Sequence, residues 1–307
     1  MKRTIVTGAL GFIGSELVTR LLSEGTEVYA VVRPSAQLTR TLPVSDSLHI
    51  IPCDMSRYSA LPEMIPTRDI DVFYHFAWEG SAGPLRSDEH VQLLNIQYTV
   101  DAVRAASQLG CRRFCGAGSI MEHEANLYLP LPTSVPSGAY KYSVAKLTAH
   151  YMAKITAAET GIDFIWGEIS NAFGVGEISQ RFVLSTIRNM LTKKTGDFTE
   201  GRQLYDFLYV SDMAKAFLQI GERGQSGWSY FLGSGQPLPL REYITRMRDT
   251  LAPDFVLRFG AIPYAGAELP AAVFDTSPLV RDTGFVPEVS FEEGIRRTAA
   301  WIKMNSL

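Results

Sequence analysis

The chain has 307 residues, of which 46% are hydrophobic and 20% charged, with a formal net charge of −3. That balance suits one large or two interleaved globular domains and excludes a disordered solubilising chain. The weak acidic charge supplies no basic field for nucleic acid, and no apolar run is long enough to span a bilayer.

The N-terminal "MKRTIVTGALGFIG" has a basic start and an apolar run. Its glycines, and the lack of a small-residue cleavage pattern, fit a first β-strand better than a leader. "RTIVTG" reads as that strand, "FIGSELVTRLLSEG" as a helix with apolar residues at helical spacing, and "EVYAVV" as a second buried strand. "SLHIIPCD", "DVFYHFA" and "RRFCGAGS" predict further strands, separated by segments of helical length that include "NIQYTVDAVRAASQLG". "KYSVAKLTAHYMAKITAAETG" predicts a long helix closed by Gly161, followed by the strand "DFIWGEIS". Alternation of this kind predicts an α/β fold with a doubly wound parallel sheet. After about Asn171 the pattern loosens into short helices and proline-rich loops. The expected organisation is a nucleotide-binding domain over 1–170, with a return segment near 205–222, and a smaller, interleaved C-terminal substrate lobe over 171–307. No internal repeat is visible.

Cys53, Cys111 and Cys115 are an odd number without a metal-ligand set, which predicts reduced, buried thiols and a cytoplasmic setting. The five histidines have no metal-binding spacing, and "MEHEA" is not the helical metalloprotease motif, so no metal is expected.

"TGALGFIG" places Gly8, Gly11 and Gly14 between the first strand and the first helix. Gly8 permits a tight turn, Gly11 a close backbone approach to a pyrophosphate, and Gly14 close helix–sheet contact. The helix start then offers its positive dipole end to phosphates, and the whole reads as a Rossmann-type dinucleotide site. At the end of the second strand, where NAD-preferring proteins carry an acid, Val32 is followed by Arg33. An arginine there suits a 2′-phosphate, so NADP(H) is favoured, with NAD(H) as the alternative. Asp54 after the third strand is placed to meet the adenine or to cap its own loop, and Ala77 after the fourth to line the groove.

In "SGAYKYSVAK" the tyrosine Tyr142 lies four residues before Lys146, so both project from one helix face about one turn apart. Tyr140 is six residues from Lys146 and points off that face. An ammonium beside a phenol, whose free pKa is about 10, is expected to draw it toward neutral pH.

Together with "HFAW", "LLNIQYTVDAVRAA", "GAGS", "NAFGVG" and "LYDFLYVSDMAKAF", these motifs resemble the extended short-chain dehydrogenase/reductase family. More narrowly they resemble its NAD(P)-dependent epimerase/dehydratase branch, which works largely on nucleotide-activated sugars. The resemblance implies Tyr142 as general acid or base, with Lys146 holding the nicotinamide ribose, and Ser119 as hydrogen-bond donor to the reacting oxygen. It also implies a cofactor groove lined by Gly8, Leu10, Gly11, Phe12, Ile13, Gly14, Arg33, Asp54, Met55, Ala77 and Ile169, with Tyr142 and Lys146. On the substrate side it implies Trp78, Ser119, Asn171, Arg181, Phe182 and Tyr205, while Asn95 supports an active-site water or simply lies on a helix surface. The dehydratases of the family follow the serine position with an Asp-Glu pair. Here Ile120 and Met121 follow, and Glu122 is out of register.

Two departures concern the substrate. Tyr205 stands where the family commonly has arginine, and Ala265 follows the Pro-Tyr of "FGAIPYAGAELP" where related enzymes carry another. Neither replaces a charge on a diphosphate, which leaves Arg181, Arg202 and Arg258 as substitutes or points to a substrate without one. The tail also resembles that of sugar 4-ketoreductases. The leading expectation is NADPH-dependent reduction of a keto group on a nucleotide-activated deoxysugar. The alternatives are a nucleotide-sugar epimerase with bound NAD, a reductase of a non-nucleotide carbonyl compound, and a silent cofactor-sensing regulator. The helices "NIQYTVDAVRAASQLG" and "KYSVAKLTAHYMAKITAAETG" are those the family uses for dimerisation, so a homodimer is expected.

Overall fold

Arg3–Thr7 forms β1, and four of its five residues are buried, as a strand covered on both faces requires. The computed structural model describes residues 1–34, 41–264 and 266–305. Its first half runs β1, α1 (Phe12–Ser23), β2 (Glu27–Val32), β3 (Leu48–Pro52), a short α2 (Leu61–Met64), β4 (Val72–His75), α3 (Glu89–Gln108), β5 (Arg113–Ser119), α4 (Lys141–Thr160) and β6 (Asp163–Ile169). Then come β7 (Asn171–Phe173), α5 (Phe182–Thr192), β8 (Thr195–Asp197), β9 (Leu204–Tyr205), β10 (Phe207–Tyr209), α6 (Val210–Arg223) and β11 (Ser229–Leu232). The chain ends with β12 (Leu238–Pro239), α7 (Leu240–Leu251), β13 (Val256–Arg258), α8 (Ser277–Thr283) and α9 (Phe291–Met304).

The main sheet has seven strands in the order β11-β6-β5-β4-β1-β2-β3, and every neighbouring pair is parallel. The order reverses between β1 and β4. A crevice therefore opens at the carboxyl ends of those strands, where ligands of such sheets bind. The seventh strand, β11, lies beyond the expected return segment of 205–222, so more of the chain's second half belongs to the sheet than its pattern suggests.

Leu17, Val18 and Leu21 of α1, Met213 and Phe217 of α6 and Leu279 of α8 cover one face. The other is covered by Ala102, Val103 and Ala106 of α3 with Ala153 and Ala157 of α4, whose small side chains let the two helices lie close. Gly161 ends α4 at φ 73°, the left-handed cap that its sequence predicts. A further apolar cluster joins Phe173 and Phe207 to Leu184, Ile187, Tyr243, Ile244, Met247 and Ile295 across α5, α7 and α9. Two buried acids clasp this part to the sheet. Asp206 accepts from the Ser234 and Gly235 backbone N–H groups at 2.8 and 3.1 Å, and Asp212 from those of Glu288 and Val289 at 2.9 Å.

Candidate active site

The glycine turn after β1 sets the crevice floor. Gly8 has φ +66°, and a Cβ there would lie 2.8 Å from the Ala77 nitrogen at the end of β4. A Cβ on Gly11 would lie 2.9 Å from the Gly8 carbonyl oxygen, and one on Gly14 would overlap that same oxygen. Gly14 thus lets α1 close on the turn itself. The helix starts on Gly11 with no side-chain cap and no acid in its first turn, so its positive end faces the crevice. These features fit the pyrophosphate of a dinucleotide.

The crevice has a volume of about 1120 Å³, room for a dinucleotide and a second molecule. Leu10, Phe12, Ile13, Arg33, Met55, Ala77 and Ile169 line it with the three glycines, and so do Ser119, Tyr142 and Lys146. Trp78, Asn171, Arg181, Phe182 and Tyr205 line the remaining wall. Asp54 is not among the lining residues. Its carboxylate accepts from the backbone and hydroxyl of Ser56 at 3.0 and 2.8 Å, capping its own loop. Arg33 is half exposed, with one guanidinium nitrogen 3.7 Å from Glu79.

Tyr142 and Lys146 share the buried face of α4 and are 7% and 6% exposed. The Lys146 ammonium donates to the Ala117 carbonyl at 2.8 Å and stands 3.7 Å from the centre of the Trp78 ring. The Trp78 ring meets Tyr142 edge to face at 6.0 Å, and the Arg86 guanidinium lies over the Tyr142 ring, 4.0 Å from its centre.

The electrostatics differ from the expectation of a phenol lowered by its lysine. Burial holds the Tyr142 phenol above its ordinary value, against Arg86, Arg181 and the Ser119 hydroxyl. Burial likewise pushes Lys146 down to about 7, against the pull of Glu122. A dry pocket penalises both charged forms, and that outweighs any attraction between the pair. Tyr142 therefore stays a phenol, the form that gives a proton.

Tyr140 faces Tyr128 at 5.4 Å between ring centres and takes no part in the crevice wall. Asn171 donates from its backbone to the Asp206 carbonyl at 3.1 Å, and Tyr205 stacks on Phe207 at 5.6 Å. Of the proposed replacement cations, Arg258 is paired with Asp197 at 2.6 Å and Arg202 with Glu200 at 4.0 Å. Only Arg181 among the three lines the crevice. Ala265 lies outside the described residues.

Asn95 is buried and neither lies on a helix surface nor faces the crevice. Its side chain accepts from the Glu79 N–H at 3.0 Å and donates to the Glu79 carbonyl at 2.8 Å. One turn earlier, Gln92 accepts from the Trp78 indole at 3.1 Å and donates to Leu85 at 2.9 Å. Helix α3 thus fixes the 78–86 loop that carries Trp78 and Arg86. The polar residues Gln92, Asn95 and Thr99, three and four apart along one face of α3, are the sequence signal for this clamp.

The parallel sheet with its glycine turn at the switch point, the Tyr142–Lys146 pair in the same crevice and the matching family model make the chain an NAD(P)-dependent oxidoreductase of the extended short-chain dehydrogenase/reductase type. More narrowly, the chain belongs to the NAD-dependent epimerase/dehydratase family, whose sequence model matches residues 4–233. It is 22% identical to the CDP-abequose synthase of Salmonella muenchen, over 96% of each chain. It is 24% identical to the dTDP-glucose 4,6-dehydratase of Streptomyces niveus, over 99% of this chain and 93% of that one. Among solved structures it resembles the UDP-N-acetylglucosamine 4-epimerase from Methanobrevibacter ruminantium M1 in complex with UDP-N-acetylmuramic acid, at TM-score 0.81, 22% identity and 99% of each chain. It also resembles the UDP-glucose 4-epimerase of Thermotoga maritima, at TM-score 0.80, 18% identity, 99% of this chain and 100% of that one. At such identities these two structures bear on the fold alone. No helix among the described residues is long and apolar enough to cross a membrane.

Proposed function

We propose that the protein reduces a keto group on a nucleotide-activated deoxysugar with NADPH. The observation that carries this reading is the make-up of the crevice beside Ser119. Ile120 and Met121 line it where dehydration would need acids, while Glu122 turns away into the protein. The nicotinamide supplies the hydride when bound. Tyr142 donates the proton to the carbonyl oxygen, and the Ser119 hydroxyl donates a hydrogen bond to the same oxygen as charge develops. Lys146 holds the nicotinamide ribose. Arg181, at the uncapped start of α5, grips the diphosphate together with that helix end. The cluster around α5, α7 and α9 forms the substrate lobe. A fall in nicotinamide absorbance with NADPH and a panel of nucleotide 4-keto-6-deoxysugars is the expected result, and no fall across the panel overturns the reading.

The pairing of Arg33 with Glu79 favours a second reading, an epimerase with tightly held NAD, because the cation meant for a 2′-phosphate already has a partner. Both residues are solvated, so the pair is weak and a doubly charged phosphate displaces it. Arg33→Ala is accordingly expected to weaken NADPH binding by about 10–100-fold, with NADH changed by less than about 3-fold. Fluorescence titration of both cofactors checks this, and equal losses favour NAD. Extracting the cofactor from fresh protein separates the readings further, since retained NAD without net turnover indicates an epimerase.

The protein is expected to act as a homodimer. Val144, Tyr151, Met152 and Ile155 form an exposed apolar stripe along α4, beside exposed Leu93 of α3. Light scattering at micromolar concentration is expected to give twice the chain mass, and Tyr151→Glu with Ile155→Glu to give the single mass. Its three cysteines are buried and unpaired, which suits the cytoplasm.

A further inference from the structure

Glu122 is the acid that breaks the dehydratase pattern, and it is 2% exposed. One of its oxygens accepts from the Ser119 backbone N–H at 2.8 Å and from the Trp166 indole at 3.0 Å. The other meets His150 Nδ1 at 2.9 Å, and His150 Nε2 meets the Ser229 hydroxyl at 3.0 Å. Trp166 reaches this point because β5 leaves it a slot. A Cβ on Gly116 or Gly118 would overlap the indole, and one on Gly118 would also lie 2.7 Å from Glu122. The "GAG" before Ser119 therefore serves this contact. Beside it is a second cavity of about 190 Å³, lined by His123, Glu168 and Ser229 as well. Glu122, His150 and Glu168 offer ligand atoms within 4.8 Å of one another. The Glu122 and His150 atoms are already hydrogen bonded within the protein, which favours a fixed network over a cation site.

We propose that Glu122 is a positioning residue: it anchors the Ser119 backbone to β6 and α4 and sets a buried negative charge behind the Tyr142–Lys146 pair. Its effect on rate rests on the reductase reading above, whereas its effect on Lys146 does not. Glu122 meets His150 from α4 and Trp166 from β6, shares its cavity with Glu168 of β6, Ser229 of β11 and His123 of its own turn, and acts on Lys146 of α4 through its charge. His123 is engaged by Glu168 at 2.8 Å. The Glu122 charge opposes burial at Lys146 and adds to it at Tyr142, so it favours the proton-bearing form of both donors.

Glu122→Gln and Glu122→Asp test this in the full-length protein, with cooperative thermal unfolding as the check on folding. Reductive methylation across pH, read by peptide mass mapping without substrate, gives the Lys146 titration midpoint. In Glu122→Gln the midpoint is expected to fall by about half to one pH unit. In the same variant kcat is expected to drop about 10-fold while KM stays within about 2-fold, as loss of a buried charged hydrogen bond predicts. Glu122→Asp keeps the charge but shortens the reach. Its midpoint is expected within about 0.3 unit of wild type, with kcat still reduced because the Ser119 contact is lost. An unmoved midpoint in folded Glu122→Gln overturns the proposal. Should that variant not fold, wild-type kcat in Glu122→Asp overturns it instead. A shifted midpoint in a protein that reduces no carbonyl in the panel leaves Glu122 in this role and removes the reductase reading.

Discussion

Tyr142→Phe is expected to lower the rate of carbonyl reduction by about 10²–10⁴-fold, the range lost with a positioned general acid. The substitution removes one oxygen and leaves the ring against Trp78 and beneath Arg86. Lys146 keeps its bond to the Ala117 carbonyl and its place over Trp78, so NADPH affinity is expected to stay within about 3-fold. The effect therefore belongs to kcat, the mark of an interaction made only in the transition state. Stopped-flow absorbance of the nicotinamide, with cofactor fluorescence for binding, separates the two quantities. Wild-type turnover in Tyr142→Phe would move the proton donor elsewhere, and unaltered biological function with no turnover would point to a cofactor sensor.

The legible parts of this molecule are those encoded over short sequence distances. The spacing of Gly8, Gly11 and Gly14, and of Tyr142 and Lys146, fixes geometry within one turn or one helix, so sequence alone places them. Arg86 carries no such local signal, because only the clamp from Gln92 and Asn95 on α3 brings its loop over Tyr142, a tertiary contact. Glu122 is similar: as a string, "SIMEHE" shows an acid out of register, and its meaning comes from Trp166 and His150 on separate elements. The strand β11 follows a loose stretch and is only four residues long, so its pairing with β6 carries little local signal. Asp54 is legible in both of its readings: one carboxylate oxygen caps its own loop through Ser56, a bond made within two residues. The proton affinities of Tyr142 and Lys146 are set by burial, which one helix cannot reveal.

That burial makes Lys146 costly to the empty enzyme, and Lys146→Met is expected to stabilise the ligand-free protein while abolishing turnover. The folded lysine titrates at about 7 rather than its ordinary 10.5, because burial disfavours the charged form. Below about 7 both folded and unfolded chains carry the proton, and the folded state bears the full penalty of a buried charge. Between about 7 and 10.5 the unfolded chain binds more protons, so stability rises with pH through that window. At about 1.4 kcal/mol for each tenfold in proton affinity, the penalty is capped near 5 kcal/mol. Methionine fills a similar volume without charge but leaves the Ala117 carbonyl unpaired, which costs about 1–3 kcal/mol. A net gain of roughly 1–3 kcal/mol at pH 7 is expected, passing through zero and becoming a net loss by about pH 10, where the charge penalty is gone and the unpaired carbonyl remains. Urea unfolding of both proteins at pH 7 and pH 9 measures it, and NADPH turnover is expected to fall at least about 10²-fold. A variant less stable than wild type at pH 7 would show that Lys146 contributes net favourable packing and cation–π energy over Trp78 that outweighs its desolvation. The expected result instead makes Lys146 a group held against the fold's own preference, whose charge is stabilised when the anionic cofactor closes the crevice over it.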